Sequence, residues 1–292
     1  TPAILNNTLS VSTTGVLTIA PIDADTWSNF AWAGTYSGNT TGTVSTSTSN
    51  ASSNGPDFTL NNVGGSGAGL KITNLAGIGG LNVGQYTDAS GVTLRTLADF
   101  TVTNAIKVAG PMQLSGGQVT LNADLSSTLP GAGISVFGTG QISLAADKSI
   151  QTTGGDILLK ANLGGAAAGG IALTSGNQLL SQGGNITLGG GYNGTQGLGL
   201  YSATAAGVGS AGGAPGVYLS NATLDAGGGH IKVYGSETAG SDDGVRINAG
   251  RITTTGAGTI GIYGDANAGS GVALKDGSTT LQTEAGLLNC IQ

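Results

Sequence analysis

A short phrase returns along this chain and constrains its fold more than any other feature. It reads Gly-Gly-Asp-Ile-Leu-Leu at residues 154–159 and Gly-Gly-Asn-Ile-Thr-Leu at 183–188. It returns as Gly-Gly-His-Ile-Lys-Val at 228–233 and, more loosely, as Gly-Thr-Ile-Gly-Ile at 258–262. The isoleucines that open the strands, Ile157, Ile186, Ile231 and Ile260, are 29, 45 and 29 residues apart. A unit of this size cannot bury an apolar face alone, so it must stack on its neighbours as a solenoid.

Apolar pairs spaced two apart mark the strands within each unit, because alternate residues of a strand face the same side. Ile157/Leu159, Ile171/Leu173 and Leu179 or Leu180 form one cycle. Ile186/Leu188, Val217/Leu219 and Leu224 form the next, followed by Ile231/Val233, Val245/Ile247 and Ile252. The last is Ile260/Ile262, Val272/Leu274 and Leu281. Upstream the beat continues through Phe100/Val102, Ile106/Val108, Met112/Leu114, Val119/Leu121, Ile134/Val136, Ile142/Leu144 and Ile150. Three short strands per cycle predict a three-sided coil of roughly 23–29 residues, with Ile, Val and Leu inside and Thr, Ser, Lys or Gln outside. The 45-residue interval has a local cause, a Gly/Ala-rich stretch at 189–216 between first and second strands.

The first 99 residues are less regular than 100–292. Leu9/Val11 and an apolar stretch opening at Val16 suggest a hairpin, and a polar excursion at 23–56 reads as an N-proximal loop insertion. Phe58/Leu60, Leu70/Ile72, Leu81/Val83 and Val92/Leu94 then resume the beat, with no hard domain boundary.

Composition supports an all-β chain. Glycine occurs 56 times, Glu occurs only at Glu237 and Glu284, and charged residues make up 8% of the sequence, against about 25% in ordinary domains. Gly and β-branched residues disfavour helix, while Thr, Val and Ile suit a pleated surface. A net charge of −6 with nine dispersed Lys and Arg excludes the basic stripe that nucleic acid requires. No apolar run approaches the roughly 18 residues of a membrane span. The single cysteine, Cys290, rules out a disulfide framework. The start at Thr1-Pro2 suggests a mature or excised segment.

The residues at 154–188 and 216–262 resemble the repeat region of filamentous-haemagglutinin-type secreted bacterial exoproteins. The phrases that carry the resemblance include Ser-Asn-Ala-Thr-Leu-Asp-Ala-Gly-Gly-Gly from Ser220 and Ala-Gly-Arg-Ile-Thr-Thr-Thr-Gly from Ala249. The resemblance covers about two thirds of the chain, from Phe100 onward. It implies a right-handed parallel β-helix and an adhesive or biofilm-cohesive role at the bacterial surface. Export by two-partner secretion through an outer-membrane transporter, or by autotransport, is also implied. The chain lacks the Asn-Pro of the secretion domain's Asn-Pro-Asn motifs, so it reads as a fibre or passenger piece. The expected partners are glycans or proteins of host or neighbouring cells, and further copies of the chain stacked into fibres.

A carbohydrate-active enzyme is the competing reading, with a phage-fibre-like trimer as a third. The best catalytic cluster is His230, Asp242, Asp243 and Arg246. An inverting glycosidase needs two carboxyls roughly 6.5–9.5 Å apart, but adjacent aspartates in a strand face opposite sides, and Asp-Asp-Gly favours a turn. No catalytic residue, cofactor or metal site is therefore assigned, and a non-enzyme is expected. Glycine-rich runs lack the Gly-Lys-Ser/Thr of a phosphate loop. Trp27, Trp32 and Tyr36 are candidates for glycan or partner binding, against a packing or capping role. Six sequons occur, at Asn6, Asn39, Asn50, Asn185, Asn193 and Asn221. The resemblance makes glycosylation there a candidate modification. If function is written in the chain, it is expected on the variable stretch 189–216 and on the aromatic excursion.

Overall fold

The structure, a computed structural model, describes residues 105–162, 169–190, 215–237 and 241–291 throughout, and strands alone within the first 102 residues. The chain is a parallel β-helix with three strands per coil, and no helix occurs among the described residues. The described strands form three sheets, A, B and C, of 11, 11 and 9 strands. From Asp57 onward the described strands pair in parallel with the coil that follows.

The stacking register is the one that the isoleucines predict. Met112, Ile134, Ile157, Ile186, Ile231 and Ile260 pair in turn down sheet A. Val119, Ile142, Ile171, Val217, Val245 and Val272 do so in sheet B. Leu125, Ile150, Leu179, Leu224, Ile252 and Leu281 complete the core from sheet C. Most of these side chains have no solvent exposure, and each such burial contributes about 1.5–3 kcal/mol. The 29-residue coils hold as expected, while register pairs upstream are 20 and 22 residues apart, Val92 with Met112 and Met112 with Ile134.

One corner absorbs the length variation. Between sheets A and B, two residues separate Gly116 from Val119, but 26 separate Gly190 from Val217. The turns from C to A hold only five or six residues in the coils from Leu125 onward. That constancy has a cause in the glycine phrase. A Cβ on Gly155 would strike the Ala132 carbonyl, and one on Gly184 would strike Gly155. Gly229 lies in the same way on Gly184, Gly258 on Gly229 and Gly286 on Gly258. The second glycine of the phrase is thus a column of bare backbone running up the coil axis.

Hydroxyls, all but that of Thr283 buried, lock the same turn. The Thr152 hydroxyl donates to the Gly155 carbonyl at 2.5 Å, Ser181 to Gly184 at 2.5 Å, Thr254 to Gly229 at 2.6 Å and Thr283 to Gly286 at 2.8 Å. Each satisfies a carbonyl that the turn would otherwise leave without a partner.

The N-terminal part differs from expectation in two respects. The hairpin exists, but its second strand is Leu17–Pro21, pairing Leu9 with Ile19 and Val11 with Leu17. Its register places Leu17 against Leu70 and Ile19 against Ile72 of the next coil, so the apolar pair is Leu17/Ile19 and Val16 precedes the strand. The insertion at 23–56 holds an antiparallel ribbon, Ala31–Tyr36 against Thr40–Ser47, joined to sheet B through Asp57–Asn61.

Candidate functional site

The Asp-Asp-Gly segment is a turn preceding strand Val245–Asn248, so its aspartates do not alternate as they would in a strand. Both carboxylates reach Arg246. Its Nε lies 2.8 Å from Asp243 Oδ2, and its Nη2 bonds Asp242 Oδ1. Lys275 Nζ stands 3.4 Å from the same Asp243 oxygen, and the Ser270 N–H donates to Asp243 Oδ1 at 3.0 Å. Burial would raise the Asp243 carboxyl, but the Ser270 N–H, the Arg246 guanidinium and Lys275 together hold it below the usual carboxylate range. A general acid needs the opposite shift. The arrangement clamps one coil to the next, since Ser270 and Lys275 flank strand Val272–Leu274 of the following turn.

The clamp has a pH signature. The folded carboxyl titrates below the unfolded value of about 3.9, so its stabilisation is complete above that value and is lost as pH falls through the folded pKa. Wild type is expected to melt above Asp243→Asn at neutral pH, with the Tm gap closing below about pH 4. Thermal melts of both proteins across that range check this, and a constant gap would refute it.

His230 belongs to a different corner. It occupies the third position of the repeated phrase, and its backbone N–H donates to Asn185 Oδ1 at 2.9 Å. Its ring Nδ1 accepts the Thr259 N–H at 3.1 Å. One coil earlier, Asp156 Oδ1 accepts the Asn185 N–H at 2.7 Å. Asp156, Asn185 and His230 therefore form a ladder, ending on Thr259, in which each of the three side chains holds the backbone of the following coil. Asp124 does the same for the Ser149 N–H at 2.7 Å, and Asp99 for the Gln118 N–H at 2.9 Å. These bonds use the short acceptor side chains that suit tight turns.

The outer face of sheet A forms a grid. Along one lane Phe137, Lys160, Gly189, Tyr234 and Tyr263 are register neighbours. Tyr234 and Tyr263 stack with ring centroids 4.9 Å apart and planes at 11°. Burial, then the neighbouring Tyr263, push the Tyr234 phenol up. The Tyr263 ring lies over Gly261, where a Cβ would stand 2.7 Å from Cε2. Nothing in the sequence periodicity singles out this pair, because both tyrosines occupy outward positions that any polar residue can fill.

Trp32 and Tyr36 lie in strand Ala31–Tyr36, at register positions opposite Val44 and Thr40. Trp27 lies outside the described residues, as do Asn6, Asn39, Asn50 and Asn193 and most of the variable stretch 189–216. The two remaining sequons differ. The Asn185 amide donates to Asp156 at 3.1 Å while its oxygen holds His230, so both ends are engaged. Asn221 is exposed at the B-to-C corner with φ of 51°. In a host that glycosylates such sites, Asn221 is expected to carry glycan and Asn185 to remain bare. Peptide mass spectrometry decides this, and glycan on Asn185 at equal occupancy would contradict it.

No protein-family model, curated protein or solved structure matches the chain.

Proposed function

We propose that this chain is a stiff structural and adhesive segment of a secreted bacterial surface exoprotein, serving attachment or matrix cohesion. The supporting observation is the separation between a core stacked in constant register and an outer surface free to vary at one corner. Such a solenoid presents loops and outward side chains in rows along a rigid axis. Many weak contacts in rows gain avidity when their spacing matches a partner surface. The partners in this reading are glycans or proteins on host or neighbouring cells, and other copies of the chain. Passage through an outer-membrane transporter belongs to the same reading.

The test is attachment. Beads coated with the chain are expected to adhere to epithelial or bacterial cells, or to one another, more than beads coated with an inert protein. Electron microscopy should show short rods. Beads that attach to nothing would overturn the reading. Hydrolysis of a polysaccharide panel, abolished by Asp242→Ala or Asp243→Ala, would replace it with the enzyme.

A further inference from the structure

The grid on sheet A has a vacancy. Register pairs Gln113 with Ser135 and Ser135 with Leu158. The neighbouring lane runs from Pro111 through Gly133 to Asp156, linked by the Met112 N–H to the Gly133 carbonyl and the Ile134 N–H to the Asp156 carbonyl. Gly133 and Ser135 thus lie side by side in one coil, with larger residues in the coils before and after. The result is a hollow of about 260 Å³ lined by Pro111, Met112, Gln113, Gly133, Ser135 and Asp156, together with Val92.

Its lining is chemically divided. The exposed Pro111 supplies an apolar edge, while Gln113 and Ser135 each offer a donor and an acceptor. Asp156 offers only acceptors when ionised. Its Oδ1 is engaged by Asn185, and among the described residues no group bonds Oδ2. A small concave site with an apolar wall and a few convergent polar groups has the character of a ligand subsite.

We infer that this hollow binds one neutral sugar ring of a glycan, with Asp156 Oδ2, Gln113 and Ser135 bonding its hydroxyls and Pro111 packing on its C–H face. A pyranose carries both an apolar face and a girdle of O–H donors, which matches the divided lining. The carboxylate selects against uronic and sialic acids, whose charge it repels, and the chain's net charge of −6 acts in the same direction. The inference deepens the adhesive reading by giving the rod a ligand class. One such subsite binds weakly, and rows of rods supply the avidity.

Saturation-transfer NMR on the full chain, with D-glucose, D-galactose, D-mannose and D-glucuronate as probes, tests this. At least one neutral hexose is expected to receive saturation, and D-glucuronate is not. Ser135→Leu fills the hollow at a strand position whose register neighbour is already Leu158, and is expected to weaken binding by about tenfold or more. Asp156→Asn retains an amide oxygen for the Asn185 N–H, and is expected to weaken neutral binding and admit the uronate. Unchanged circular dichroism and melting of both variants show that folding is intact, and chemical-shift changes at Gln113 and Ser135 report on the site independently of them. No transfer to any neutral hexose, equal transfer in Ser135→Leu, or glucuronate binding equal to glucose would each overturn the inference. Rods that attach cells without binding sugar would overturn the subsite alone. A sugar-binding chain that attaches nothing would overturn the adhesive reading alone.

Discussion

Gly229→Ala is expected to destabilise the fold by about 3 kcal/mol, while Gly228→Ala is neutral or stabilises it by up to about 1 kcal/mol. The two glycines are adjacent in one Gly-Gly-Gly turn, yet their surroundings differ. Nothing lies within 4 Å of a Cβ placed on Gly228, which is exposed. A Cβ on Gly229 would collide with the Gly184 carbonyl carbon and oxygen and come within 3.0 Å of the Asn185 nitrogen. Those are backbone atoms of the preceding coil, so no rotamer change relieves the clash. The coils must separate at this corner, which also loosens the Thr254 hydroxyl bond to the Gly229 carbonyl. Urea unfolding of the two variants, followed by circular dichroism, checks the contrast. Equal effects would mean that the glycine column is incidental.

Ile186→Ala is expected to cost about 2–5 kcal/mol, through lost apolar burial plus the cavity left behind. Ile186 has no solvent exposure and sits between Ile157 and Ile231 in the sheet A core lane. In a solenoid, stability is approximately a sum of coil and nearest-neighbour terms. A deep cavity in one coil therefore weakens the link between the coils on either side. Hydrogen exchange should show protection lost first around strands Ile157–Lys160, Ile186–Gly190 and Ile231–Glu237. Uniform loss from residue 105 to 291 would indicate a more global cooperativity than stacking alone provides.

Much of this architecture can be read from apolar spacing because inward positions repeat every second residue and every coil. The exceptions show where that signal fails. The strand Leu125–Ser127 escapes detection because its second inward position is serine. Ser127 is buried and donates to the Gly110 carbonyl at 2.7 Å, so a hydrogen bond replaces the apolar partner. Asn and Asp at corners suggest positive φ, and Asn162, Asn221 and Asp147 do adopt it. In the repeated phrase the glycines Gly154 and Gly183 take that conformation. Asp156 and Asn185 instead hold the backbone of the next coil, a role that depends on residues 29 and 45 positions away. The Asp243 clamp and the hollow over Gly133 are likewise created by register, which joins side chains from separate coils.

The backbone hydrogen bonds between coils run along the solenoid axis, and so do the ladder bonds from Asp156 to Asn185 and from Asn185 to His230. A pull applied end to end would load these bonds along their own direction and peel coils one after another, without shearing whole sheets at once. Each 29-residue coil adds about 4.8 Å of length when stacked, but about 100 Å of chain when released. A tether built this way would yield in steps under tension and rewind when the load falls, dissipating force while its attachments hold.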